Sequence, residues 1–341
     1  MQKLLRSFVP ASLLLLAVPM AGHAGAPAPR LLSTLPLGGS GGWDYLGFDA
    51  PHRHLFVSRG DRVLVLDIDR RQQIGMIANT PGVHGIAIAD DLQRGFTSNG
   101  KDASVTEFDL RTFKTLASIH VTGEKPDAIV YDQPSHHVLT FNGKSHSASV
   151  IDPARGAVVA TIDLPGKPEF AVSDGAGHIY NNIEGKSELV EIDTASNKLL
   201  HVWSLAPCQS PSGLAIDTRH QRLFSVCDNQ LMTVTDARDG HLITGVPIGD
   251  GPDAVVFDDA QSTIYSSNGE SGTITAIHQD DADHYRVSAT IPTRVSARTL
   301  ALDPTLHRLY LSAARVGTVR QANGRFAIEP NSFGVLTVGR P

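Results

Sequence analysis

Apolar and polar residues alternate along this chain in short runs, and no stretch keeps a 3.6-residue period long enough to predict a helix. The runs repeat one another. Lys125-Pro126-Asp127-Ala128-Ile129-Val130-Tyr131-Asp132 reads as a strand that ends on an acid, and copies of it span Gly42 to Asp49, Gly82 to Ala89, Lys167 to Asp174, Ser210 to Asp217, Gly251 to Asp258 and Ser296 to Asp303. Their last residues stand about 40 to 45 positions apart, the period of a four-stranded propeller blade. Within each unit a second strand follows a turn, as in His54 to Ser58 or Arg222 to Ser225. A third strand alternates in pattern, as in Glu188-Leu189-Val190-Glu191-Ile192-Asp193, and an outer strand closes the unit, as in Val158 to Ile162.

The seventh unit is one strand short at its C-terminal end, while Arg30 to Leu37 forms an orphan strand before the first. The predicted fold is therefore all-β: a seven-bladed β-propeller of four-stranded antiparallel blades, closed by the N-terminal strand completing the last blade. Closure of that kind protects a sheet edge. Two departures from the repeat stand out, an extended outer hairpin around Gln279 to Tyr285 and a long insert from Arg315 to Ser332.

The first 26 residues fall outside this pattern. Lys3 and Arg6 precede the apolar run Leu13 to Val18, and small residues follow from Ala21 to Ala26. That order predicts a signal peptide over 1–26, a single propeller domain over 27–341, and a periplasmic or secreted monomer. No later stretch is apolar for the roughly 18 residues that a spanning helix needs. Setting Lys3 and Arg6 aside from the 29 basic residues leaves 27 against 35 acidic ones, a formal charge of about −8. This balance argues against a nucleic-acid partner, which needs a basic face.

The repeat, the leader and the stretches Trp43-Asp44-Tyr45, Val83-His84-Gly85, Pro126-Asp127-Ala128, Lys167-Pro168-Glu169-Phe170 and Pro211-Ser212-Gly213-Leu214-Ala215 resemble the exported YncE-like propellers of the YVTN-repeat, surface-layer-protein type. The resemblance implies fold and export. It does not fix function, because similar rings include nucleic-acid binders, haem-d1 proteins, lactonases and a lyase.

Candidate chemistry follows from the ring. Side chains at the start of each inner strand converge on a central channel, and this column reads Asp44, His84, Asp127, Glu169, Ser212, Asp253 and Arg298. The exits of the second strands supply Arg59, Asn99, Asn142, Asn182, Cys227, Asn268 and Ala313 to the same face. Together they predict a polar, largely acidic mouth that binds a small ligand or a metal ion. Asp44, His84, Asp127 and Glu169 are the candidate ligands to a divalent cation, the candidate cofactor. Further partners would be other periplasmic proteins. The alternative is a lactonase- or lyase-type enzyme with His84 or Glu169 as general base.

A weaker alternative places single-stranded nucleic acid across Arg59, Arg298, Arg315, Arg320 and Arg325. Cys208 and Cys227, the two cysteines, fall at one end of a single blade and predict a disulfide in an exported protein. Neither a haem-attachment sequence nor a phosphate loop, Gly-x-Ser-x-Gly elbow or His-Glu-x-x-His helix is present. The pairs Asn99-Gly100, Asn142-Gly143 and Asn268-Gly269 are also what tight hairpins require, so their amides rank as secondary ligand contacts.

Overall fold

The computed structural model describes residues 28–320 and 326–341. The leader read over 1–26 and Arg325 lie outside the described residues. Seven four-stranded antiparallel sheets form the ring. Blade 1 is Leu46–Asp49, His54–Arg59, Arg62–Asp67 and Gln72–Ala78, from channel to rim, and blades 2 to 6 repeat that meander. Blade 7 is built from Leu300–Asp303, Arg308–Ala313 and Gly334–Gly339, and its outer strand is the N-terminal Arg30–Pro36, paired from Arg30↔Gly339 to Pro36↔Gly334. The predicted closure is therefore present. The insert forms a hairpin, Val316–Arg320 with Phe326–Ile328.

Strand order follows from burial. The two middle strands of a blade are buried on both faces and pack between neighbours, whereas outer strands such as Ala157–Asp163 alternate between exposed and sheltered positions. Each core joins two blades. Leu139, Phe141 and Val150 of blade 3 meet Ile179 and Val190 of blade 4, and Leu46 and Leu55 of blade 1 meet Tyr310 and Val335 of blade 7. The recurring acid at the end of the inner strand is explained by the turn that follows it. Asp217 Oδ1, for example, accepts from the backbone N–H of Arg219 and His220 at 3.0 and 3.2 Å.

One irregularity recurs where function is expected. In blades 2 to 6 the inner strand pairs normally at its first residue, then slips register before pairing resumes: between Val83 and Ile86, Pro126 and Ile129, Pro168 and Ala171, Pro211 and Leu214, and Pro252 and Ala254. Such a bulge re-aims the side chains inside it. His84, Asp127, Glu169, Ser212 and Asp253 all sit in these slips.

Cys208 and Cys227 are bonded, with Cα atoms 5.5 Å apart and a separation of 19 positions in sequence. Both are buried. Closing a loop of this length removes about 3 kcal/mol of chain entropy from the unfolded state. The double variant Cys208→Ala/Cys227→Ala is expected to lose stability of that order, read as a lower urea midpoint with an unchanged channel site.

Candidate functional site

Six residues predicted for the mouth line one cavity of about 670 Å³: Asp44, His84, Asp127, Glu169, Asp253 and Arg298. Their backbone is held by small polar side chains of the second strands, which the sequence reading passed over. Ser98 Oγ accepts from the Gly85 N–H at 2.8 Å and donates to the Asp127 carbonyl of the next blade. Ser267 Oγ donates to the Arg298 carbonyl in the same way, and Ser58 Oγ accepts from the Asp44 N–H at 3.0 Å. The close approach of blades leaves no room for a side chain at Gly213, where a Cβ would stand 2.8 Å from the Ala254 Cα.

An ion-pair chain runs round half of the mouth. Arg298 donates to Asp253 at 2.7 Å, to Asp44 at 3.2 Å and to the Trp43 carbonyl at 3.1 Å. The second Asp44 oxygen lies 2.6 Å from His84 Nδ1, and Asp127 lies 3.6 Å beyond that nitrogen. On the other half Lys167 pairs with Glu169 at 2.5 Å and with Glu184. Burial raises Asp253 above the usual carboxylate range even though Arg298 opposes it. Burial also raises Asp127, with the Asp44 charge adding to it, while His84 opposes. Glu169 is pushed up to about 7, chiefly by burial, against the Lys167 pair. For His84 burial favours the neutral ring, but the Asp44 hydrogen bond and the Asp127 and Asp44 charges outweigh it and leave the imidazole above its ordinary value.

Two aromatic rings from opposite sides of the ring meet beside the cavity. Tyr45 and Phe170 directly follow column residues of blades 1 and 4, and their rings meet at 5.2 Å between centroids. Tyr45 is 8% exposed and lines the cavity. Its phenol is held well above its ordinary value by burial and then by Asp127, Asp44, Asp253 and Glu169 in turn, so its hydroxyl lies in the field of all four acids.

Several predicted members stand elsewhere. Asn99, Asn142 and Asn268 are fully buried and do not line the cavity. Each tethers its own blade: Asn99 Nδ2 donates to Ser104 and Thr106 at 3.0 and 2.9 Å while its Oδ1 accepts from Thr97 at 2.9 Å. Asn142 and Asn268 repeat the arrangement with Ser147 and Ser149, and with Thr273 and Thr275. The amides are thus consumed as blade tethers rather than offered as ligand contacts. Asn182 is one position out of register, because Ile183 pairs with Pro168 where Asn99 pairs with Val83. The Asn182 amide donates instead to the Ser212 and Gly213 carbonyls at 3.1 Å, the role Ser98 has in blade 2.

Arg59 is buried under the mouth, bonded to the carbonyls of Gly38, Gly39, Gly41 and Gly42. With Arg298 committed to acids and Arg315 paired with Glu329 at 2.6 Å, these three guanidiniums form no free basic face.

Glu169 falls outside the group that Asp44, His84 and Asp127 form, whose candidate ligand atoms lie within 4.8 Å of one another. In its place the structure adds Tyr45 and three lysines, Lys101, Lys125 and Lys167. The lysine signal was legible in part, since Lys125-Pro126 and Lys167-Pro168 immediately precede two column residues.

No family model matches the chain, and no curated protein does. Among solved structures, the WD40 repeats of RRP9 superpose with a TM-score of 0.79 at 11% identity, covering 93% of this chain and all of that one. U3-55K gives 0.77 at 10% identity over 92% of this chain and 100% of its own. The hydrazine synthase of Kuenenia stuttgartiensis gives 0.69 at 15% identity, covering 92% and 99%. At these identities the likeness is one of fold, and it agrees with the ring of seven sheets. Among the described residues no helix is long and apolar enough to cross a membrane.

Proposed function

We propose that this chain is an exported, YncE-like binding protein whose ligand is a cation, a metal ion or an organic ammonium, seated in the cup at the channel mouth. Export is supported by the leader-like start and by a disulfide between the two cysteines. The observation that carries the ligand class is Asp127. Its carboxylate is largely buried and has no hydrogen-bond partner among the described residues, with His84 Nδ1 at 3.6 Å and Lys125 Nζ at 3.9 Å as the nearest charges. A buried acid without donors is costly, and a bound cation removes that cost. For a divalent ion, Asp44, His84 and Asp127 supply two carboxylates and an imidazole.

A second reading rests on the Asp44–His84 contact, which is also how a carboxylate orients a general base. Hydrolytic or eliminating turnover that survives His84→Ala would remove that histidine from any such mechanism.

The binding reading is tested by elemental analysis of protein purified from its own host and by thermal shift with manganese, calcium and n-butylamine. A ligand at a hundredfold excess over its Kd adds about 2.7 kcal/mol to the folded state, which moves Tm by several degrees. The Asp127→Ala/Glu169→Ala variant is expected to lose the shift. Equal melting of wild type with and without every cation, together with metal-free protein, would overturn the reading.

A further inference from the structure

The wall of the cup carries charges of both signs. Lys101, Lys125 and Lys167 reach it from blades 2, 3 and 4, while Asp228 and Asp253 face them from blades 5 and 6. Asp228 is raised above the usual carboxylate range by burial and then by Glu184, Asp250 and Glu270.

What is left unsatisfied on each side defines a ligand. Lys167 is engaged by Glu169 and Glu184. Lys125 has only Asp127 at 3.9 Å, and Lys101 has no hydrogen-bond or ion-pair partner among the described residues. These are spare cationic donors. The other spare groups are acceptors. Asp127 lacks a hydrogen bond, and the hydroxyl of Tyr45, a residue 8% exposed that lines the cavity in the field of four acids, has none among the described residues either. Lys125 Nζ lies 3.9 Å from Asp127, so spare donors and acceptors adjoin in one cavity. Lys101 and Lys125 are exposed and free to turn onto an anion, whereas a largely buried acid such as Asp127 is ordinarily paired. Here one molecule with a cationic end and an anionic end would pair both sets. A cavity of about 670 Å³ holds a small metabolite.

Resting on the cation-binding reading above, we infer that the ligand is a small zwitterion, with a primary ammonium donating to Asp127 and Tyr45 and a carboxylate or phosphate accepting from Lys101 and Lys125. A primary ammonium offers three N–H donors, enough for the carboxylate and the phenol together. A bare metal ion or simple amine leaves the two lysines without an acceptor.

Calorimetric titration tests this with 4-aminobutanoate and phosphoethanolamine as zwitterions and n-butylamine and butanoate as their halves, at neutral pH and low salt. At least one zwitterion is expected to bind about tenfold or more tightly than n-butylamine, the worth of one charge-assisted hydrogen bond. Butanoate is expected not to bind. The carboxylate and phosphate arms identify the anionic group. In Lys101→Ala the advantage of zwitterion over amine is expected to shrink by about tenfold, and in Asp127→Asn amine and zwitterion both weaken. If n-butylamine equals both zwitterions, the zwitterion inference fails while cation binding stands. If neither the amines nor manganese bind, both fail.

Discussion

Arg298→Met is expected to be the most damaging change at the site, costing about 2–3 kcal/mol at neutral pH and less in mild acid. The guanidinium is the one cation in direct contact with both Asp253 and Asp44 among the described residues. Removing one partner of a buried ion pair costs about 3–5 kcal/mol. The figure is reduced here because the Arg298 side chain is 36% exposed to the cup. Its sign with pH follows from Asp253, which burial already raises above its unfolded value. A raised carboxyl contributes stability below its unfolded pKa and loses it as pH rises through the folded one. Without Arg298 that folded value rises further, so the gap between variant and wild type widens as pH climbs from the carboxylate range to neutrality. Urea unfolding across that window measures it, and a pH-independent gap would show that packing, not charge, is what Arg298 supplies.

The same residue shows how far the sequence could be read. Arg298 was placed at the mouth by the repeat alone, as were Asp44, His84, Asp127, Glu169 and Asp253, because a propeller converts sequence period directly into angular position. The strand-exit column was less legible. Asn99, Asn142 and Asn268 occupy equivalent positions on the expected face, but nothing in spacing distinguishes an amide that looks into the channel from one that bonds the neighbouring strand. Asn182 slipped by one because blade 4 is shorter there, and a one-residue slip changes the face a strand residue presents. Tyr45 was hidden for a different reason. Its role depends on Phe170, three blades and 125 positions away, and pairings across a channel leave no trace in a local pattern.

Ring closure offers the second large effect. Arg59→Met is expected to unlatch the N-terminal strand, at a cost of about 3 kcal/mol. Gly38 to Gly42 connect that strand, the outer edge of blade 7, to the inner strand of blade 1, and Arg59 ties the connection down. Its guanidinium donates to the Gly42 carbonyl at 3.0 Å, to Gly39 at 3.2 Å, to Gly38 at 3.3 Å and to Gly41. It also lies 3.9 Å from the Phe333 ring centroid. Burial, then Arg62, lowers its pKa to about 10, which still leaves it charged at neutral pH. Each charge-assisted hydrogen bond contributes about 1.5–3 kcal/mol, but the glycine carbonyls stand near solvent and recover part of this from water. The loss should be local before it is global. Hydrogen exchange is expected to accelerate across the pairing of Arg30–Pro36 with Gly334–Gly339, while blades 2 to 6 keep their protection. Arg59→Lys should recover little, since an ammonium cannot span four carbonyls in the plane that the fork reaches. Uniform acceleration over all blades would instead mean that the arginine stabilises the ring as a whole and that the strand is held by its ladder alone.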